Sequence, residues 1–562
     1  MTARRLRGAF LLAALFVVGA LPAAGSPALS AKGGSRGAPP VKLDSRLAAL
    51  VRVDEANGSR AALAKASSLA LRAPDGEVRV MVEARPGRGA EAAAAARAAG
   101  GTVEARVGDL VQARVPVSAL GLLSASPAAS FVRPPLTFVP DAITGEEVAA
   151  SGAGALQATG VNGAGVKIAI VDIGFAGAQA LIDRGELPAD TVEKFQYCDA
   201  PIADDHGTAV AELVHDMAPG AQLFLVCADT EARLALAEEA VHAAGVDIVN
   251  HSVNWLNAGR GDGTTNRQDP LSPDTIANKA VSEGITWVNA AGNFAPRHWS
   301  GTFSDTNGDG WENFSGSDEG NHFVIPANTT ACAALSWDDW PASAQDYDLY
   351  LYGADQGQDF DNQIPLQESI NFQSPTRPIA PTEDFCWTNR SSAPRQVYVA
   401  IKYVPLSPWV PKRLDLVVTE GLLQYDVPHG SIGFPADSPW VLSVGAVCYS
   451  GYGFRYYSSQ GPTIDGRVEP DIAGYDGVST ATYGLATGCG SGFQGTSASS
   501  PAVAGAAALV LQQHPGWSPA QIRSYLEGRA VDLGARGKDN VYGAGALCLT
   551  SCAAPHPPPP PP

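Results

Sequence analysis

Four short stretches carry residue types that could act together on a carbonyl group. The first ends the apolar run VKIAIV at 166–171 with Asp172, followed by Ile173-Gly174-Phe175. A carboxylate at the carboxyl end of a buried parallel strand faces the crevice where open α/β sheets place their sites; a turn or helix cap is the other use of an Asp there. The second is Asp205-His206-Gly207-Thr208, which leads into Ala209, Val210, Leu213, Val214 and Met217, apolar positions on one helical face. His206 thus stands at a helix start. In the third, Phe493-Gln494-Gly495-Thr496-Ser497-Ala498-Ser499-Ser500-Pro501 precedes a run of small apolar residues at 502–511. Pro501 fits the first turn of a buried helix, Gly495 allows close backbone approach, and Ser497 sits where the positive end of the helix dipole favours negative charge. The fourth, Asn289-Ala290-Ala291-Gly292-Asn293, ends in an amide that can face a developing oxyanion or simply form a turn. A hydroxyl nucleophile, an imidazole base, an orienting carboxylate and an amide donor make an acyl-transfer set.

These residues need a rigid frame. From 165 onward apolar strands alternate with helices, the pattern of a mostly parallel, doubly wound α/β sheet covered on both faces. Strands are predicted at 166–171, 222–227, 247–250, 285–289 and 441–447, with helices near 231–244 and 274–283. After about 300 the rhythm changes. YDLYLY at 347–352, QVYVAIKY at 396–403 and LDLVVT at 414–419 alternate as in antiparallel structure, so an all-β sandwich is expected over 301–424, inserted into an α/β domain spanning 146–300 and 425–550. Upstream, 77–140 reads as a small ferredoxin-like α+β unit of order β-α-β-β-α-β. Residues 26–76, rich in Ala, Gly, Ser and Pro, read as a loosely structured leader, and 553–562 as an extended proline-rich tail.

The chain has 562 residues, 45% of them hydrophobic and 17% charged, which suits a globular protein and not a disordered or multi-span one. Its net charge of −19 is uneven: residues 1–145 hold 18 basic and 10 acidic side chains, and the rest is strongly acidic. An acidic body lacks the basic face that nucleic-acid binding needs. Arg4, Arg5 and Arg7 before an apolar run at 9–21, then small residues to Gly25, make a signal peptide over 1–25. Export follows, with no membrane span once the signal is removed. All eight Cys lie after residue 190, and an even count in an exported chain favours disulfides, with the pairing open. Asp305-Thr306-Asn307-Gly308-Asp309-Gly310 matches the start of a calcium loop, but its twelfth position is Gly316 rather than Glu, so structural calcium competes with a plain Asx-rich turn. Trp299, Trp311, Trp337 and Trp340 could line a sugar platform or, more simply, pack a core.

Taken together, GTSxxSP around Ser497, DHGT around His206, VDxG around Asp172 and AAGN ending at Asn293 resemble the subtilisin-like serine peptidases. So do VNGAGVKIAIV at 161–171, SQGPT at 459–463 and EPD at 469–471. The resemblance implies a subtilisin-like fold and a serine endopeptidase in which Ser497 attacks the scissile carbonyl. His206 then relays the proton, Asp172 orients the imidazole, and Asn293 holds the oxyanion, with no cofactor required. It implies peptide or protein substrates lying along 250–254, and a 77–140 propeptide that inhibits its own enzyme until cut near 135–150. The chain departs from the family pattern at Ile173, Ala209, Glu212, Asn254 and Ala498, none of which is a triad position. A non-catalytic scaffold is the rival reading. An α/β-hydrolase esterase fits less well, because no G-x-S-x-G surrounds Ser497.

Overall fold

The computed structural model describes residues 42–69, 71, 76–136, 138–140, 146–198, 204–264, 271–374, 376, 379–405 and 410–552. The expected signal peptide, the proline-rich tail and residues 141–145 lie outside them.

The leader is not loose where it is described. Helices α1 (Ser45–Asn57) and α2 (Ser59–Ser68) occupy it, which corrects the reading of 26–76 from composition. Their propensity is ordinary, but Leu47, Leu50, Ala62 and Ala66 are buried with Val117 and Leu120 of the following unit, and tertiary packing stabilises most short helices. Asp44 caps α1, accepting from Arg46 N at 2.9 Å. That following unit comprises β1 (Val78–Ala84), α3 (Gly89–Ala98), β2 (Thr102–Val107), β3 (Leu110–Val115), α4 (Leu120–Ala125) and β4 (Ala129–Arg133). Its sheet order, β2-β3-β1-β4 with antiparallel neighbours, is the ferredoxin-like order expected for 77–140. A last short strand, β5 (Phe138–Pro140), leaves the unit.

The α/β body opens with α5 (Glu147–Ser151), α6 (Ala153–Gln157), β6 (Lys167–Asp172), α7 (Ala178–Arg184), β7 (Val192–Gln196) and α8 (His206–Met217). It continues through β8 (Gln222–Cys227), α9 (Glu231–Ala243), β9 (Ile248–His251), β10 (Val253–Trp255), α10 (Pro273–Ser282) and β11 (Thr286–Ala290). Eight antiparallel strands then interrupt it: β12 (His298–Thr302), β13 (Asn321–Ile325), β14 (Thr330–Trp337), β15 (Asp346–Gly353), β16 (Gln367–Ser369), β17 (Thr382–Thr388), β18 (Arg395–Val404) and β19 (Arg413–Val418). They form two four-stranded sheets, β12-β19-β14-β17 and β13-β18-β15-β16, which share one apolar core. Trp299, Leu335 and Phe385 enter it from one sheet, Phe323, Leu349 and Val399 from the other. Because β12 starts at His298 and pairs with β19, the all-β part begins slightly before the expected residue 301. Trp299, Trp311 and Trp337 are at most 6% exposed, so they pack the interior and offer no platform.

The body resumes with β20 (Leu442–Cys448), β21 (Ile472–Asp476), α11 (Thr496–Gln513) and α12 (Pro519–Glu527). Its seven-stranded sheet runs β21-β20-β11-β9-β6-β8-β7, with parallel neighbours. Helices α8 and α11 cover one face and α9 and α10 the other, so both faces are dry and the strands read as continuous apolar runs. Fully burying side chains such as Val503, Leu509 and Val510 of α11 contributes about 1.5–3 kcal/mol each. The eight Cys pair as 198–227, 332–386, 448–489 and 548–552.

Candidate active site

The four sequence-selected residues fall into two bonded groups, Asp172 with His206 and Asn293 with Thr496 beside Ser497. Asp172 ends β6, and its carboxylate accepts from Nδ1 of His206, the first residue of α8, at 2.8 and 2.9 Å. Asp172 and His206 are 1% and 2% exposed. The approach of α8 to β6 demands Gly207: a Cβ there would stand 2.6 Å from Gly174 O and 2.8 Å from Asp172 Cβ. Ser497, the second residue of α11, is fully buried and donates from Oγ to Ser252 O at 3.0 Å. Ser252 follows β9, where His251 is in register with Val171 beside Asp172, so the acceptor of the Ser497 hydroxyl lies just past the strand that neighbours β6. Asn293 follows β11. Its Oδ1 accepts from Thr496 N at 3.0 Å and Thr496 Oγ1 at 3.3 Å. Since a backbone N–H can only donate, the amide oxygen is committed and Nδ2 is the end left for an acceptor.

A strand from the end of the amino-terminal unit lies along β10. β5 pairs antiparallel with β10, Val139 opposite Asn254, which is strand addition to an exposed edge. On the other side of β10, Trp255 N donates to Phe434 O at 3.0 Å. Asn254 is fully buried, and its Oδ1 would be 2.3 Å from a Cβ at Gly433. The departure from Gly at 254 therefore fills the space in front of Gly433 with an amide.

A family model described as the Subtilase family matches residues 163–334 and 426–545, about half of the chain. The chain belongs to the subtilase family. Over 123 residues it is 36% identical to Subtilisin E of Bacillus subtilis (strain 168), covering 22% of this chain and 29% of that protein. It is 36% identical to Subtilisin of Bacillus pumilus over 123 residues as well, 22% of this chain and 40% of that protein. The chain thus spans less than half the length of these curated relatives. Among solved structures, the CspB protease of Clostridium perfringens aligns over 72% of this chain and 97% of its own, with a TM-score of 0.47 and 13% identity.

The structure adds contacts around the site that the motifs alone did not reveal. Pro501 lies inside α11 rather than in its first turn. It has no N–H to give to the Ser497 carbonyl four residues back, and Ser252 Oγ donates to that carbonyl instead, at 3.3 Å. Asp476, at the end of β21, accepts from Gly495 N at 2.5 Å and from Tyr457 Oη at 2.6 Å, and is ion-paired with Arg455. Gly495 needs its freedom here, with φ +134°. Burial pushes the Asp476 carboxyl up to about 6. Glu212, where the family has Gly, accepts from Ala481 N at 2.6 Å and from the Thr482 hydroxyl. It holds the loop whose Tyr483 donates to Asp205 at 2.8 Å and stacks on Phe493, the ring beside His206. His251, fully buried, is pushed down to about 4 by that burial and donates from Nδ1 to Asn289 Oδ1 at 2.9 Å. The only sequence signals for Asp476 and Glu212 were an acid where the chain is otherwise apolar and a departure from the family pattern.

At the predicted calcium loop, Asp305 Oδ1 accepts from Gly308 N at 2.6 Å and Oδ2 from Gly310 N at 2.8 Å, bonds of the kind an Asx turn makes. Among the described residues no group of three or more His, Cys, Asp or Glu is placed to hold a metal ion. No helix among them is long and apolar enough to cross a membrane.

Proposed function

We propose that this chain is a secreted serine endopeptidase made as a zymogen, acting on peptide or protein substrates through an acyl-enzyme. The observation that carries the reading is the carboxylate of Asp172 on His206 Nδ1 at 2.8 Å, in a chain that holds Ser497 at the start of α11. That bond fixes the tautomer, keeping the proton on Nδ1 and the lone pair on Nε2. As substrate binds, the Ser497 hydroxyl turns from Ser252 O to His206 Nε2 and attacks the carbonyl carbon. The C–O bond forms while the proton passes to Nε2, and the oxyanion is taken by Asn293 Nδ2 and the Ser497 N–H. Collapse expels the amine, which leaves with that proton. Water, activated by the same imidazole, then releases the acid. This sequence calls on no cofactor.

The pairing of β5 with β10 favours an autoinhibited precursor, in which residues 77–140 are the propeptide and the all-β region is an inserted sandwich. Cleavage is expected near 135–150, after export directed by residues 1–25. Fluorophosphonate labelling tests the chemistry: a label on the processed protein that disappears in Ser497→Ala supports it, and no label favours a non-catalytic scaffold. Amino-terminal sequencing of active protein tests the zymogen, and a start near residue 26 would overturn it.

A further inference from the structure

The amino-terminal unit rests on two separate surfaces. Its sheet lies on the body: Arg133 Nη1 is 2.6 Å from Glu231 Oε1, and Met81 and Leu110 pack on Ala232 of α9. Its helices reach elsewhere. Arg46, in the first turn of α1, is 6% exposed and sets its guanidinium across Asp384 of β17, with Nη1 to Oδ2 at 2.7 Å and Nη2 to Oδ1 at 3.4 Å. Its Nε meets Asp44 Oδ1 at 3.2 Å. Ser45 N donates to Asn371 Oδ1 at 2.7 Å, and Asn371 Nδ2 donates to Asp44 Oδ2 at 3.3 Å. Asn371 is itself held by Glu383, which accepts from its N at 2.9 Å and its Nδ2 at 3.1 Å. At the far end of the helix pair, Arg390 Nη2 donates to Ser67 O at 3.2 Å.

Apart from Asp44, the cap of α1, every one of these acceptors and donors outside the helices belongs to the insert. A buried guanidinium is tolerated only where carboxylates meet it in fork geometry, so the insert carries a built seat for this helix start. We infer that the insert is the second anchor of the amino-terminal unit and keeps it bound after the chain is cut between residues 140 and 146. The inference rests on the reading of this unit as a propeptide. When one seat opens, the other still holds the fragment at high effective concentration, so release requires both to open together. The insert seat therefore lengthens the stay of the cut unit beyond what the body seat alone gives.

The test uses the full chain with Ser497→Ala, a carboxyl-terminal tag and a site for a sequence-specific protease engineered into 141–145. After cutting and dilution, departure of the fragment is followed by size-exclusion chromatography and native mass spectrometry. Arg46→Met and Asp384→Asn should each speed departure by roughly tenfold or more, and the double variant should be no faster than the faster single one. Arg46→Lys should fall between, since it keeps the charge but not the fork. Thermal melting of each uncut variant identifies any that fails to fold. Departure of both folded single variants at the unsubstituted rate, or full additivity in the double variant, would overturn the inference. A native chain that never cuts itself near 135–150 would defeat the zymogen reading yet leave this seat measurable, because the engineered cut does not depend on it.

Discussion

Asp476 of the body and Glu383 of the insert are both fully buried acids, and they are satisfied in opposite ways. Asp476 meets a cation, Arg455, together with a phenol and the backbone N–H of Gly495. Its charge is retained at neutral pH and fastened to the backbone immediately before Thr496 and Ser497. Glu383 meets neutral donors: the Ser369 hydroxyl, Asn371 and Gln373. Burial, with no cation to offset it, holds its carboxyl well above the usual range. The contrast shows what each region does with a costly group. In the body a carboxyl met by a cation positions the site; in the insert a carboxyl met only by neutral donors organises the loop that receives α1.

The body side should respond most strongly to loss of the nucleophile. Ser497→Ala is expected to lower kcat on the order of 10⁶-fold with little change in the unfolding midpoint, since Oγ makes one hydrogen bond; a residual rate within tenfold of the parent would show that the chemistry lies elsewhere. Asn293→Ala should cost about 10²–10³ in kcat, read as a fall in kcat at similar KM. Asp476→Asn should lower kcat roughly tenfold and stability by about 1–3 kcal/mol, because the new amide N–H groups face Tyr457 and Arg455. The folded-state value of Asp476, about 6, lies above the ordinary 3.8, so the parent loses stability as pH rises between these values. The Asn variant should lack that slope in melts across the window. Glu383→Gln should be mildest for activity, leaving kcat unchanged while lowering stability by about 1–3 kcal/mol, because its amide N–H groups would face the donors that Glu383 now accepts from. As the Glu383 carboxyl is raised on folding, the parent again loses stability with rising pH and the Gln variant does not. A drop in kcat in Glu383→Gln would erase the distinction between the two regions.

What could be read from sequence follows the range of the interactions. The strand ending in Asp172, the helix opened by His206 and the buried helix carrying Ser497 declare themselves through continuous apolar runs and neighbouring motif residues, and the structure has all three. The ferredoxin-like unit was equally plain from alternation and Gly breaks. Asp476 was not, because Gly495, Arg455 and Tyr457 lie many residues away in both directions and join it only through the fold. Composition misled at α1 and α2, whose Ala and Ser content says nothing of the apolar surface waiting to cover Leu47 and Leu50. Pro501 misled in a related way, since its place inside α11 is eased by Ser252, between β9 and β10, which supplies the donor that proline lacks.

That substitution of donors couples two pieces of backbone. Ser252 gives its hydroxyl hydrogen to the Ser497 carbonyl and takes the Ser497 hydroxyl hydrogen on its own, a reciprocal clasp between a helix and the segment just ahead of β10. Any sliding of α11 drags that segment with it. A ligand pulling on β10 would therefore tug the serine along, and the two would keep their spacing through motions that loosen the surrounding loops.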